Sequence, residues 1–390
     1  MAIKLATRMS RLGQETAFTV LARAKALEAQ GKNIVHLEIG EPDFDTPSFI
    51  KTAAKKALDD GFTHYGPSAG LMDTRKAIAE YIGKTRGVPT APENVVVTSG
   101  AKPIMWYLII ALCEAGDEVI YPNPGFPIYE SVINFMGATP VPVQLREEND
   151  FRFDVKDLLS KITPQTKLII LNSPQNPTGG ILNMDDLLPI AKVAMEKDIF
   201  VLSDEIYDQI IYDNFKFASI YSIPGMKERT VLLNGFSKTY AMTGWRLGYG
   251  IFPKELAESI AKLNNNADSC TCSFTQMAGI AALTGPQAEV KQMVAEFKRR
   301  RDTIVDGLNA IRGVRCKRPL GAFYVFPNIS GIGIKSQALA DALLNEAGVA
   351  CLSGTCFGKY GEGFLRFSYA NSVQNIQEAL RRVKQYVESR

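Results

Sequence analysis

Lys238 stands in the stretch Ser237-Lys-Thr-Tyr-Ala-Met-Thr-Gly244-Trp-Arg246, among small and aromatic residues and far from any run of charge. Burial in such surroundings weakens an amine's hold on its proton and makes it a nucleophile toward carbonyls. Ser237 and Arg246 flank it with donors suited to an anion, arginine being favoured where two N–H groups grip a phosphate. Upstream, Asp204 follows the apolar run 199–203 and precedes Glu205-Ile206-Tyr207; a carboxylate there must find a cationic partner or take up a proton. Asn176 lies in Asn172-Ser-Pro-Gln-Asn-Pro-Thr-Gly179, where two prolines exclude regular structure and hold its amide ready to donate. The turn Ser99-Gly100-Ala101-Lys102-Pro103 precedes an apolar helix. Glycine lets a backbone approach an anion, and the unpaired N–H groups of a first helical turn attract one. Arg366 is a lone cation in Phe364-Leu365-Arg366-Phe367, and its planar fork suits a carboxylate. Taken singly, each feature has a plainer explanation: a surface lysine, a helix cap, a turn-forming asparagine, an ordinary strand-to-helix turn, a structural salt bridge.

Positioning these groups requires a scaffold, and the sequence supplies a repeating one. Short β-branched runs at 95–98, 118–121, 167–171, 199–203, 230–233 and 247–251 alternate with segments long enough for crossover helices. That pattern predicts a mostly parallel sheet covered on both faces, whose ligands bind beyond the carboxyl ends of the strands. The polar motifs between residues 99 and 246 are expected there, one after another. Near residue 286 the texture changes: Gly285-Pro286 breaks the chain before a charged helix at 287–308. Strands at 322–326 and 364–368 follow, then a helix repeating Ile376, Leu380, Val383 and Val387, capped by Asn371 or Ser372. An amphipathic helix at 18–30, closed by Gly31, joins this smaller unit. The expected division is an N-terminal arm (1–15), a small domain (16–46 and 286–390) and a large domain (47–285).

Composition narrows the alternatives. With 44 Lys and Arg against 41 Asp and Glu (net +3), the chain carries no basic stripe for a nucleic acid. Its longest apolar run, 104–113, has about half of the roughly 20 residues a bilayer crossing needs. Two histidines, His36 and His64, and no CxxC pair leave no metal site to assemble. Arg8 and Arg11 interrupt the opening residues, which lack an apolar secretion segment, and the 6 scattered cysteines fit free thiols in a reducing compartment. A cytoplasmic protein is expected.

Together the motifs ask for one ligand with a carbonyl for Lys238, a phosphate, a cationic ring nitrogen facing Asp204, and a phenolic oxygen for Asn176 and Tyr207. Pyridoxal 5′-phosphate (PLP) carries all four. The ordered stretches LEIGEPDFDTP (37–47), THYGPSAG (63–70), NSPQNPTGG (172–180), SDEIY (203–207), SKTYAMTGWRLGY (237–249) and LRFSYA (365–370) resemble the class I, aspartate aminotransferase-like enzymes of PLP fold type I, over essentially the whole chain. The resemblance implies an α/β fold: a large domain with a mostly parallel seven-stranded sheet covered by helices, plus a smaller α+β domain from both chain ends. It implies that Lys238 joins the cofactor aldehyde and, once freed, moves the proton at the substrate Cα, and that Asp204 pairs with the ring nitrogen. Asn176 and Tyr207 would bond the ring oxygen, Phe126 would stack on the ring, and Gly100, Ala101, Lys102, Ser237 and Arg246 would surround the phosphate. Tyr65 would reach the phosphate of a neighbouring subunit, which makes a homodimer with shared active sites. Gly40, Asn176 and Arg366 would receive the substrate. The implied reaction is ping-pong transfer of an amino group from an amino acid to a 2-oxo acid. Aspartate or glutamate is the first choice, because Lys102 falls where some bacterial relatives meet a distal carboxylate. Ala17, Phe18, Trp106 and Tyr107 keep alanine-type or aromatic substrates as the alternative, and a PLP-dependent lyase would use the same motifs.

Overall fold

All six β-branched runs form strands, and a seventh joins them. In the computed structural model, which describes residues 3–389, the large sheet comprises β1 (Val95–Ser99), β2 (Glu118–Asn123), β3 (Thr139–Gln144), β4 (Thr166–Asn172), β5 (Phe200–Asp204), β6 (Thr230–Gly235) and β7 (Leu247–Ile251). Residues 1–2 of the expected arm and residue 390 lie outside the described residues. The spatial order is β1-β7-β6-β5-β4-β2-β3, every neighbouring pair parallel except the two made by β7, which runs antiparallel to β1 and β6. The fold is α/β, as expected.

β3 was not visible as a β-branched run because Pro140 and Pro142 interrupt it. It is an edge strand, where proline is tolerated. Their two-residue spacing puts both missing N–H groups on the open side. The odd-numbered residues face β2, and donation from Thr139 N to Asp117 O (2.8 Å) and from Leu145 N to Asn123 O (2.9 Å) brackets the strand. Alternation governs the central strands: Leu168, Ile170 and Leu202 pack on one face with Leu108 and Val132, while Ile169, Leu171 and Val201 pack on the other with Leu187 and Ile190.

The chain ends meet in smaller sheets. Val35–His36 pairs in parallel with Val349–Ala350, and Leu352–Ser353, Leu365–Ser368 and Tyr324–Val325 form an antiparallel sheet. The helices Ala288–Asn309 and Val373–Glu388 pack beside them, the latter capped by Ser372, whose Oγ accepts from Asn375 N at 3.1 Å. The expected strand at 322–326 shortens to two residues because Ala322 has a φ of 57°, outside the extended region. The first long helix spans Thr16–Glu28, and Val20 and Ala24 on it pack in one cluster with Ala350 and Leu352. Among the described residues no helix is long and apolar enough to cross a membrane, and no group of side chains could hold a metal ion.

The turn after β5 is braced from within. Arg86 donates to Glu205 (2.8 Å) and Asp208 (2.5 Å), all three buried, while Ser203 and Ser219 donate to the other oxygen of Glu205 at 2.8 and 2.5 Å. Arg86→Leu leaves two buried carboxylates without their cation, so a loss of roughly 3–5 kcal/mol of unfolding free energy is expected in urea denaturation. A variant as stable as the parent would show that the triad does not hold this turn.

Candidate active site

The parallel strands deliver their polar residues to one edge of the sheet. β5 ends at Asp204, β4 runs into the loop carrying Asn176, β6 into Ser237 and Lys238, and β1 into the Gly100–Lys102 turn. Arg246 reaches the same edge by the opposite route. It precedes its strand, and because β7 is antiparallel its start lies where the others finish. Arg246 thus closes the motif that follows β6 and at the same time opens β7.

A cavity of 540 Å³ opens at this edge, lined by Asn176, Asp204, Tyr207, Ser237, Lys238 and Arg246, with Ala101, Lys102 and Phe126 on one side and Gly40 and Arg366 on another. Gly100 does not line it but shapes it: its φ is +87°, and a Cβ there would lie 2.2 Å from Arg246 Nη2. Tyr65 is 92% exposed and outside the cavity of its own chain. Trp106 and Tyr107 do not form a wall either. Trp106 packs edge-on against Phe135 at 5.5 Å, Tyr107 is buried in the core, and Lys102 and Met105 are the residues of that helix that reach the cavity.

Burial sets the electrostatics. The Lys238 amine donates to Gly40 O at 2.6 Å, and desolvation lowers its pKa to about 8, the charges of Glu41 and Glu15 opposing the fall. Asp204 moves the other way, up to about 6, because its carboxylate is buried; Tyr129 (2.5 Å) and the Ile206 N–H (3.3 Å) donate to it and limit the rise. Tyr207 and Tyr324 share a hydrogen bond at 2.7 Å between hydroxyls. Arg366 is 4% exposed. It donates to Asn176 Oδ1 at 3.1 Å and to Glu38 O, its guanidinium lies 4.6 Å from the Tyr324 ring, and its buried Nε has no partner. Among the described residues it makes no ion pair, which removes the structural salt bridge as its explanation.

These residues fit PLP. A Cβ at Gly100 would collide with the Arg246 guanidinium, so this glycine leaves a cationic cradle open to a phosphate, the glycines at 100 and 248 keep the 99–102 turn and β7 close together, and a lysine, a carboxylate and hydroxyl donors share one cavity. The sequence profile described as aminotransferase class I and II matches residues 32–383. The chain belongs to that family. This aminotransferase is 43% identical over 359 residues to an aspartate aminotransferase of Pyrococcus horikoshii, covering 92% of this chain and 91% of that one. It is 39% identical to aromatic-amino-acid aminotransferase 2 of Thermococcus litoralis, covering 93% and 94%. Its fold matches the aspartate aminotransferase of Rhizobium meliloti with a TM-score of 0.95 at 36% identity, covering 99% of both chains. The aminotransferase moves an α-amino group from an amino acid to a 2-oxo acid with PLP as cofactor.

Sequence reasoning missed three residues of the site. Tyr129 and Tyr324 lie within apolar elements and carry no signal beyond core packing, whereas Glu15 belongs to a polar segment read as an arm. Tyr129→Phe removes a donor that keeps Asp204 ionised. The expected result is a kcat about 10–100-fold lower, the value of one hydrogen bond to a charged group, with the acid limb of the pH–rate profile moved to higher pH. An unmoved limb would mean that Tyr129 does not tune Asp204.

Proposed function

We propose that this aminotransferase takes aspartate or glutamate as its preferred amino donor, with alanine-type and aromatic amino acids as the alternative. The observation that carries the reading is Arg366: a buried guanidinium with an orphaned Nε and no carboxylate partner, in the same cavity as the Lys238 amine. The pairing suits an α-amino acid, whose carboxylate and reacting Cα lie one bond apart. The Lys102 ammonium in that cavity supports an acidic side chain, and so does the aspartate aminotransferase named among the relatives.

PLP supplies an aldehyde that joins an amine and a ring that accepts the electrons left at Cα. Arg246, Ser237 and the N–H groups of the turn 100–102 hold its phosphate. Phe126 covers its ring, and Asn176 and Tyr207 donate to its ring oxygen. Asp204, a carboxylate above about pH 6, holds the proton on the ring nitrogen. Arg366, with Asn176 and the Gly40 backbone, fixes the substrate carboxylate, and Lys238 Nζ takes the Cα proton. With a pKa of about 8, that amine has an appreciable unprotonated fraction near neutrality. Fixing both groups in one cavity contributes roughly 7–11 kcal/mol to lowering the barrier in well-oriented cases.

The same reading makes the enzyme a cytoplasmic homodimer with shared active sites; Tyr65, exposed on its own chain, is suited to a partner's cavity. It divides the chain into an arm (1–15), a small domain (16–46 and 286–390) and a large domain (47–285).

Lys238→Ala is expected to lose turnover and Schiff-base absorbance while keeping its sedimentation behaviour and circular dichroism. Full activity in that variant would reject the assignment. In the parent apoprotein, the rate of PLP capture should rise as pH passes through about 8, since the neutral amine reacts. A rise only near the ordinary lysine range would contradict the burial argument. Mixing the holoenzyme with single amino acids and following loss of the cofactor's visible band ranks the donors; aspartate and glutamate should act fastest.

A further inference from the structure

Four cationic side chains line the cavity: Lys102, Lys238, Arg246 and Arg366. Among the described residues only Lys102 is paired with a carboxylate, its ammonium bonded to Glu15. Glu15 occupies the N-cap of the helix Thr16–Glu28. Its side chain caps nothing there and crosses instead to the first residue of the helix Lys102–Leu112.

The segment that brings it is fastened from outside. Gly13 N donates to Ser131 Oγ at 2.9 Å and Arg11 to Phe135 O at 3.2 Å, both on the helix Ile128–Met136. The pair has apolar neighbours on the cavity wall in Ala17, Phe18, Met105 and Phe126, and the Lys102 ammonium lies 5.6 Å from the Phe126 ring centre.

In the proposed function, Arg246 serves a phosphate, Arg366 the α-carboxylate, and Lys238 the chemistry. Lys102 is then the cation left to meet the substrate side chain, and it is already neutralised. We propose that Glu15 sets side-chain selectivity by exchange: an acidic side chain displaces Glu15 from Lys102, whereas a neutral side chain is received with the pair intact. This rests on the reading of Arg366 as the α-carboxylate site. Two opposing effects follow from Glu15. It competes with the distal carboxylate of an acidic substrate, and it spares a neutral substrate from burying an unpaired ammonium against its apolar side chain. One pocket thereby serves both classes, at some cost to acidic substrates.

The test compares PLP-loaded parent and Glu15→Gln enzyme in half-reactions with aspartate, glutamate, alanine and phenylalanine, read from the cofactor spectrum. In the variant the rate constant per molar substrate should rise for the two acids and fall for the two neutral amino acids. The acidic-to-neutral ratio should grow by about tenfold or more, the scale of a lost charge partner. Lys102→Gln alone should lower that ratio, and Glu15→Gln added to Lys102→Gln should leave it unchanged within about twofold, because the two residues act as a unit. A cofactor-loaded Glu15→Gln enzyme with the parental ratio would overturn the exchange while leaving the Arg366 reading in place. A parent enzyme that converts none of the four amino acids would overturn both.

Discussion

Withdrawing an ammonium from water costs several kcal/mol unless a counter-charge stands beside it, and Lys238 meets a neutral carbonyl, Gly40 O, at 2.6 Å. Its pKa consequently falls to about 8, and the positive charges of Arg366 and Arg246 push in the same direction. A chain whose net charge is only +3 thus gathers four cations around one cavity. Such a site demands anions, and a phosphate together with an amino-acid carboxylate supplies them. Asp204 is the complement: a buried carboxylate, raised to about 6, that gains most from a cation on the ligand.

The architecture reads as a means of bringing those charges to one place, with Arg366 and Asp204 buried and Arg246 and Lys102 open to solvent. Parallel strands send the chain to one edge repeatedly, and the single reversed strand β7 adds Arg246 to that edge from its amino end. Asn172 and Asp204 are paired in register on β4 and β5, and Asn172 ties the two loop exits together by donating to Asp204 O at 3.2 Å and accepting from Asn176 N at 3.0 Å. Arg366 comes from a sheet built by the other end of the chain, so the cavity exists only where the two packed regions meet.

Much of this was legible in the sequence, for identifiable reasons. Central parallel strands are apolar on both faces, so a polar residue ending such a run, Asp204 for example, stands out. An arginine amid Leu365 and Phe367 does so likewise. What escaped notice lacked local contrast. Pro140 and Pro142 disguised an edge strand whose open side tolerates them. Tyr129 and Tyr324 look like core aromatics until the fold brings their hydroxyls to Asp204 and Tyr207. Glu15 is separated from Lys102 by 87 residues, and only the tertiary fold pairs them. Trp106 and Tyr107 sat close in sequence to a site residue, but helical geometry turned them into the core.

The central claim is that the half-buried Lys238 amine is the one that joins the PLP aldehyde. It is tested most directly by reducing the PLP-loaded protein with borohydride near pH 8, digesting it and locating the phosphopyridoxyl mass on its peptides. The account predicts the label on the peptide that contains Lys238. A label on Lys102 or any other lysine, with Lys238 unmodified, would contradict it.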